Sequence, residues 1–379
     1  MDTVDVVVGG AGIIGLSVAL ELARSGLRVK VVERGRAMRE SSWAAAGMLA
    51  AEDPENPHEL IQLAAVSRAL YPEYLKLIER LSQRRVALRT RNTLQVSEPG
   101  GGFDCSETAT RLRITAEEAE KRIAGFRAGG RALLWLEEAS LDPRDLCAAL
   151  PAAATAAGVV LEEDTAILGV DASGGSVLIL TSAGELSAGA FVNCCGAWAT
   201  RISQPASRSP SSHPAYGLGS SPMAERVEPR KGQMAMVRME GLPQLCNVFR
   251  SPTVYLVPRG DTRIAIGASV EQAGFDREVE DATVHRLLAE AAELWPPIAS
   301  APVIESWAGL RPGTGDHLPF IGSTGEPNCW WATGHFRNGI LLAPATAVVI
   351  RQLLQGARPE VSLDSFALDR PVVGGLVGS

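Results

Sequence analysis

Positive charge is scarce in this sequence. Across 379 residues, 36 Lys and Arg stand against 43 Asp and Glu, a net charge of −7. A nucleic-acid or anionic-membrane surface is therefore not the expected partner. An anionic small molecule stays open, because a pocket's local charge can oppose the overall sign. No C-x-x-C pair occurs among Cys105, Cys147, Cys194, Cys195, Cys246 and Cys329, and the one adjacent pair lies in an apolar run. Reduced core thiols are expected, with neither a disulfide framework nor a metal site. The apolar run 338–350 falls short of the ~20 residues of a membrane span and contains Pro344. A secretory leader would need a basic start. Here Asp2 and Asp5 stand in its place, and Gly9, Gly10, Gly12 and Gly15 interrupt the apolar stretch. The expectation is a soluble, cytoplasmic protein with no membrane partner. No internal repeat is apparent.

What is present is ordinary for a globular chain: 46% hydrophobic and 21% charged residues, with a length that suits two domains. Residues 4–8 form a β-branched apolar run, hence a buried strand. Glycines follow, then helical spacing over 13–25 closed by Gly26, then a second apolar strand over 27–32 ending at Glu33. This is a β-α-β unit of about thirty residues. Further on, the pattern predicts helices over 60–83, 115–122, 143–157, 281–294 and 339–354. Strands are predicted over 90–96, 159–170, 176–181, 190–194, 233–237, 253–258, 263–268 and 330–333. The Ser/Pro-rich stretch 204–222 reads as a surface loop without a function. Both ends thus look nucleotide-binding and the middle strand-rich. The expected fold is α/β, α+β over the whole chain. A Rossmann-like domain of residues 1–85, 141–203 and 302–379 would carry an inserted strand-rich substrate domain of 86–140 and 204–301.

Gly10-Ala11-Gly12-Ile13-Ile14-Gly15 fits G-x-G-x-x-G between the first strand and helix. Its first glycine suits a tight turn, its second lets backbone approach a pyrophosphate, and its third lets helix pack on strand. The helix N-terminus favours phosphate through its free N–H groups and dipole. Glu33 is placed to accept from ribose hydroxyls, which favours FAD or NAD over NADP and does not separate the first two. Ser41-Ser42-Trp43-Ala44-Ala45-Ala46-Gly47-Met48-Leu49 turns from polar to small to apolar, which suits a large flat ligand and equally suits an alanine-rich helix start.

Longer blocks carry a resemblance over nearly the whole length. They are Val254-Tyr255-Leu256-Val257-Pro258-Arg259, Gly267-Ala268-Ser269-Val270-Glu271, Trp307-Ala308-Gly309-Leu310-Arg311-Pro312-Gly313-Thr314 leading to Pro319 and Gly322, and Gly334-His335-Phe336-Arg337-Asn338-Gly339-Ile340-Leu341-Leu342-Ala343-Pro344. With the glycine-rich start and the 41–49 segment, they resemble the flavin-dependent D-amino-acid oxidase superfamily, and within it the glycine oxidases of thiamine biosynthesis. The resemblance implies non-covalent FAD. Gly10, Gly12, Ile13, Ile14, Gly15, Glu33, Arg34, Ser41, Ser42, Ala46, Gly47, Met48 and Ile167 would contact it. So would His335, Phe336, Arg337, Asn338, Gly339, Ile340 and Leu341, which would run past the flavin ring.

The implied reaction is oxidative deamination of glycine, with sarcosine or small D-amino acids as further substrates. Hydride passes to flavin N5, and imine, glyoxylate, ammonia and hydrogen peroxide result, with molecular oxygen as partner and thiazole synthesis as destination. The alternative is a D-amino-acid or sarcosine oxidase or dehydrogenase on the same scaffold. A homo-oligomer is the family expectation. For a carboxylate, Arg is the natural clamp because its planar fork makes two parallel hydrogen bonds. Arg311 stands in an otherwise uncharged block, where it reads as an anion clamp or an internal salt bridge. The resemblance makes it the substrate clamp, gives Tyr255 a hydroxyl contact to the same carboxylate, and makes Arg337 a second arginine of the pocket. His335 reads as a structural histidine, and no residue is required as a catalytic base.

Overall fold

The structure is a computed structural model that describes residues 4–172, 175–202 and 226–371. The Ser/Pro-rich stretch 204–222 lies outside the described residues.

Two sheets organise the chain. In the first, Val4–Gly9 pairs in parallel with Val29–Val32 on one side and Gly184–Asn193 on the other. Val160–Glu162 and Cys329–Thr333 extend the parallel set, and Phe320–Ser323 closes an antiparallel edge. Parallel strands are covered on both faces, which is why Val6, Val7 and Val8 are all apolar and all buried. Helices Ile13–Arg24, Ile61–Ser82, Pro143–Ala156 and Gly339–Leu354 form the main core with this sheet. Pro143–Ala156 starts where its sequence says: Pro143 occupies the first helical position and the Asp142 carboxylate accepts from the Arg144 N–H at 3.0 Å. The single strand expected over 159–170 is broken into Val160–Glu162 and Ile167–Asp171. The intervening Glu163-Asp164 cannot be buried in a ladder, and Asp164 turns the chain at φ 55°.

The second sheet runs, in spatial order, Val303–Gly313, Glu228–Arg238, Arg263–Gly267, Tyr255–Gly260, Val248–Arg250, Thr93–Pro99, Arg131–Leu136, Arg111–Arg113. One face packs on helix Asp281–Leu294 through Leu287, Ala291, Leu294 and Trp295. The other turns Met234, Met236, Val257, Ala265 and Trp307 toward Ala44, Ala46 and Met48. Strand Val303–Gly313 hydrogen-bonds along Glu228–Arg238. The expected nucleotide domain resumes at 302, whereas residues 303–313 pair with a strand of the second sheet.

The final helix carries Pro344, which has no N–H for the carbonyl of Ile340. The Tyr71 hydroxyl donates to that carbonyl instead. Ser67 donates to Leu341 O at 2.6 Å and accepts from Ala345 N–H at 3.2 Å. Helix Ile61–Ser82 thus repairs the break and holds the N-terminal turn of Gly339–Leu354 against the first sheet.

Candidate active site

A cavity of about 470 Å³ lies between the sheets. At its nucleotide end are Gly10, Gly12, Ile13, Ile14, Glu33, Arg34, Ser41, Ser42 and Ile167; Ala46, Gly47, Met48 and His335, Phe336, Arg337, Asn338, Gly339, Ile340 line the remainder. Gly15 and Leu341, expected beside them, do not reach the wall. A Cβ on Gly15 would stand 1.9 Å from the Gly10 carbonyl oxygen. Its role is the close packing of helix on loop, one step behind the ligand. Leu341 is buried in the helix core.

The Glu33 carboxylate accepts from the Ala11 N–H at 2.8 Å and the Gly35 N–H at 3.0 Å. A carboxylate has about four acceptor positions, so this fixes the loop and leaves capacity for hydroxyl donors. Gly12 has no side chain to cap the first helix, and the Ile13 N–H donates to Ser42 Oγ at 2.9 Å. The Ser42 hydroxyl keeps its proton for an anion. Ser41 is committed elsewhere: its Oγ donates to Leu310 O at 2.7 Å, which ties the small-residue segment to the strand that bears Arg311. Arg34 pairs with Glu40 and lies 3.6 Å over the Trp198 ring.

The three residues expected at the substrate differ in their partners. Arg311 lines the cavity, and its Nη1 donates to Ser269 O at 3.0 Å; no carboxylate meets it among the described residues. Space for its guanidinium comes from Gly232, two strand positions from the register partner Arg230. A Cβ on Gly232 would stand 2.1 Å from Nη1. Tyr255 also lines the cavity, and among the described residues its hydroxyl donates to the Met234 sulfur alone, at 3.8 Å. Arg337 lines the cavity and donates to Asp53 Oδ2 at 2.7 Å and Glu55 Oε2 at 2.9 Å. Its charge is already met by two carboxylates.

Asp53 and Arg250 were not anticipated, and both line the cavity. Arg250 is 3% exposed; its Nε donates to Gln95 and lies 3.5 Å from Asp53, and its Nη1 is 3.1 Å from Glu138. Burial alone would raise the Asp53 pKa, but the Arg250 and Arg337 guanidinium groups hold it below the ordinary carboxylate range. Burial pushes the Glu138 carboxyl up, despite Arg250. Asp53 is thus the firmly ionised partner. A charged residue in the apolar strand Val248–Arg250 was the available signal for Arg250. His335 is buried, shares a 3.0 Å hydrogen bond with Thr346 Oγ1, and is pushed down to about 3 by burial. Burial thus keeps it neutral, and it lines the cavity.

Residues 5–353 match the family model described as FAD dependent oxidoreductase. The chain belongs to the FAD-dependent oxidoreductases. It is 32% identical to a glycine oxidase of Geobacillus kaustophilus, with 97% of each chain covered. It is also 32% identical to the bifunctional protein ThiO/ThiG of Trichormus variabilis, over 97% of this chain and 55% of that one. The crystal structure of a glycine oxidase from Geobacillus kaustophilus superposes with a TM-score of 0.87 at 29% identity, covering 98% of this chain and 100% of the other. The site fits FAD on its own geometry. A glycine-lined helix N-terminus suits the pyrophosphate, Glu33 has acceptors to spare, and small residues 44–47 leave the wall flat. Among the described residues no helix is long and apolar enough to cross a membrane, and no cluster of three or more His, Cys, Asp or Glu is placed to hold a metal ion.

Proposed function

We propose that this enzyme is a glycine oxidase. It converts glycine, oxygen and water to glyoxylate, ammonia and hydrogen peroxide, and supplies the imine for thiazole formation in thiamine biosynthesis. One observation carries the substrate class: a partly buried guanidinium, Arg311, faces the cavity with a backbone carbonyl as its only partner among the described residues. A cation so placed calls for an anion, and an amino acid offers a carboxylate. The residues around the cavity would hold FAD, which would supply the two-electron acceptor for the amine. The chain's part is alignment. Arg311 grips the carboxylate, and Tyr255 keeps its O–H for the same group because a sulfur at 3.8 Å is a poor competitor. His335 contributes no proton at neutral pH.

The N-terminal turn of Gly339–Leu354 lines the cavity at Gly339 and Ile340, and Asn338 supplies no side-chain cap. Its free N–H groups favour negative charge in the cofactor ring. The two sheets support a division into an FAD-binding domain of residues 1–85, 141–203 and 314–379 and a substrate domain of the remainder. We read the assembly as a cytoplasmic homo-oligomer. The names of the relatives support the thiamine assignment.

The test is peroxide release by the FAD-loaded protein, with glycine, sarcosine, D-alanine, D-proline and L-alanine compared by kcat/KM. Glycine leading upholds the proposal. A strong preference for a larger D-amino acid replaces it with a D-amino-acid oxidase, and sarcosine leading replaces it with a sarcosine oxidase.

A further inference from the structure

Five arginines line the cavity: Arg34, Arg201, Arg250, Arg311 and Arg337. Arg34 is paired with Glu40, and Arg201 is exposed and lies 3.8 Å over Phe275. Arg250 and Arg337 share one carboxylate, Asp53, which is 6% exposed. Arg250 is set directly opposite Tyr255 in the paired strands, and such neighbours project to the same face. It therefore stands one strand beyond the residue expected at the substrate. Its Nη1 is ion-paired with Glu138 at 3.1 Å, and its Nη2 is buried without a hydrogen-bond partner among the described residues. Arg250 lines the cavity and keeps one unpartnered donor, Nη2, and the Asp53 charge opposes any anion arriving there.

We propose that Asp53 is a specificity-determining residue: as the carboxylate that Arg250 and Arg337 share, beside Glu138 and Glu55, it offsets their charge and restricts the pocket, clamped at Arg311, to monocarboxylates. This rests on the reading of Arg311 as the substrate clamp. Removing the Asp53 charge leaves Arg250 with Glu138 alone and Arg337 with Glu55 alone, so the far wall, between Arg250 and Arg337, favours a second anion. The gain is specific to dicarboxylates, because a monocarboxylate is already held by Arg311.

The experiment measures Kd by calorimetry for acetate, malonate and succinate on the FAD-loaded wild type and on Asp53→Asn, which keeps the shape and an acceptor. The acetate-to-dicarboxylate Kd ratio should shift at least tenfold in favour of malonate or succinate. Adding Arg250→Gln to Asp53→Asn should reverse most of that shift. A ratio within twofold of wild type in a folded, FAD-bound Asp53→Asn enzyme overturns the inference. Should that variant not fold, Glu55→Gln frees Arg337 from its more exposed partner; a shift of about threefold in the same direction upholds the inference, and an unchanged ratio overturns it. Arg311→Gln separates the two readings. If it abolishes acetate binding, the clamp stands whatever Asp53→Asn does. If acetate binds it as well as wild type, the clamp reading fails and this inference falls with it.

Discussion

Gly232→Ala adds one methyl group outside any expected ligand contact, yet it should disable substrate binding. Gly232 and Gly309 are register partners across the paired strands Glu228–Arg238 and Val303–Gly313. Neither has a positive φ, so alanine's backbone is accommodated and only space is at issue. The new Cβ at position 232 would sit 2.1 Å from Arg311 Nη1 and 2.5 Å from Cζ and Nη2. Ordinary contact is about 3.5 Å, so the guanidinium must retreat by more than ~1 Å and give up its bond to Ser269 O. A misplacement of about 1 Å costs on the order of 100-fold, or about 2.7 kcal/mol. Steady-state peroxide release with glycine should show that loss chiefly in KM, with FAD content unchanged.

Gly309→Ala is the control on the opposite strand. Its Cβ would meet Ala44 Cβ at 2.4 Å, so it presses on the cofactor segment and should weaken FAD retention on gel filtration. A Gly232→Ala enzyme with full FAD and a KM within threefold of wild type would refute the placement of Arg311.

Arg311→Ala should raise KM for glycine by roughly 3 kcal/mol with FAD content unchanged, since charge-assisted hydrogen bonds are worth ~1.5–3 kcal/mol each; an unchanged KM sinks the clamp. Tyr71→Phe leaves the Ile340 carbonyl unpaired opposite Pro344 and should lower unfolding free energy in urea by about 1–3 kcal/mol; a loss below a few tenths would show that the hydroxyl repairs nothing. His335 has a folded pKa of about 3 against an ordinary 6.5. Below pH 6.5 the unfolded chain takes up a proton that the folded one refuses, so stability falls by about 1.4 kcal/mol per pH unit from 6.5 toward 3. His335→Gln should flatten that slope between pH 6.5 and 4.5, and identical slopes would mean that His335 is not held neutral.

The features legible in the sequence are those whose cause is local. A β-branched run buried on both faces, a glycine loop that opens a helix, and Asp142 before Pro143 each state their conformation within a few residues. The four helices of the main core were anticipated for this reason, and so was the position of the phosphate loop. The strand expected over 159–170 failed locally too, at Glu163-Asp164, where two acids in succession could have been weighed against the apolar residues around them.

What the sequence leaves open at the site has a different origin. Arg311 and Arg337 both stand in glycine-containing blocks, and nothing within either block distinguishes a free guanidinium from a neutralised one. The difference lies in what the fold brings across from far away. Gly232 makes room beside Arg311 and supplies no charge, whereas Asp53 and Glu55 meet Arg337 from a loop nearly three hundred residues earlier. Ser41 and Ser42 divide in the same way: adjacent and chemically identical, one is committed to Leu310 O and the other caps Ile13. The cavity was therefore predictable as a collection of side chains, but not as a distribution of charge. On the proposed reading charge selects the substrate, since Arg311 meets no carboxylate among the described residues and is left to hold the substrate's own. The residues that decide specificity are accordingly the partners, Asp53 above all, rather than the arginines that a motif makes conspicuous.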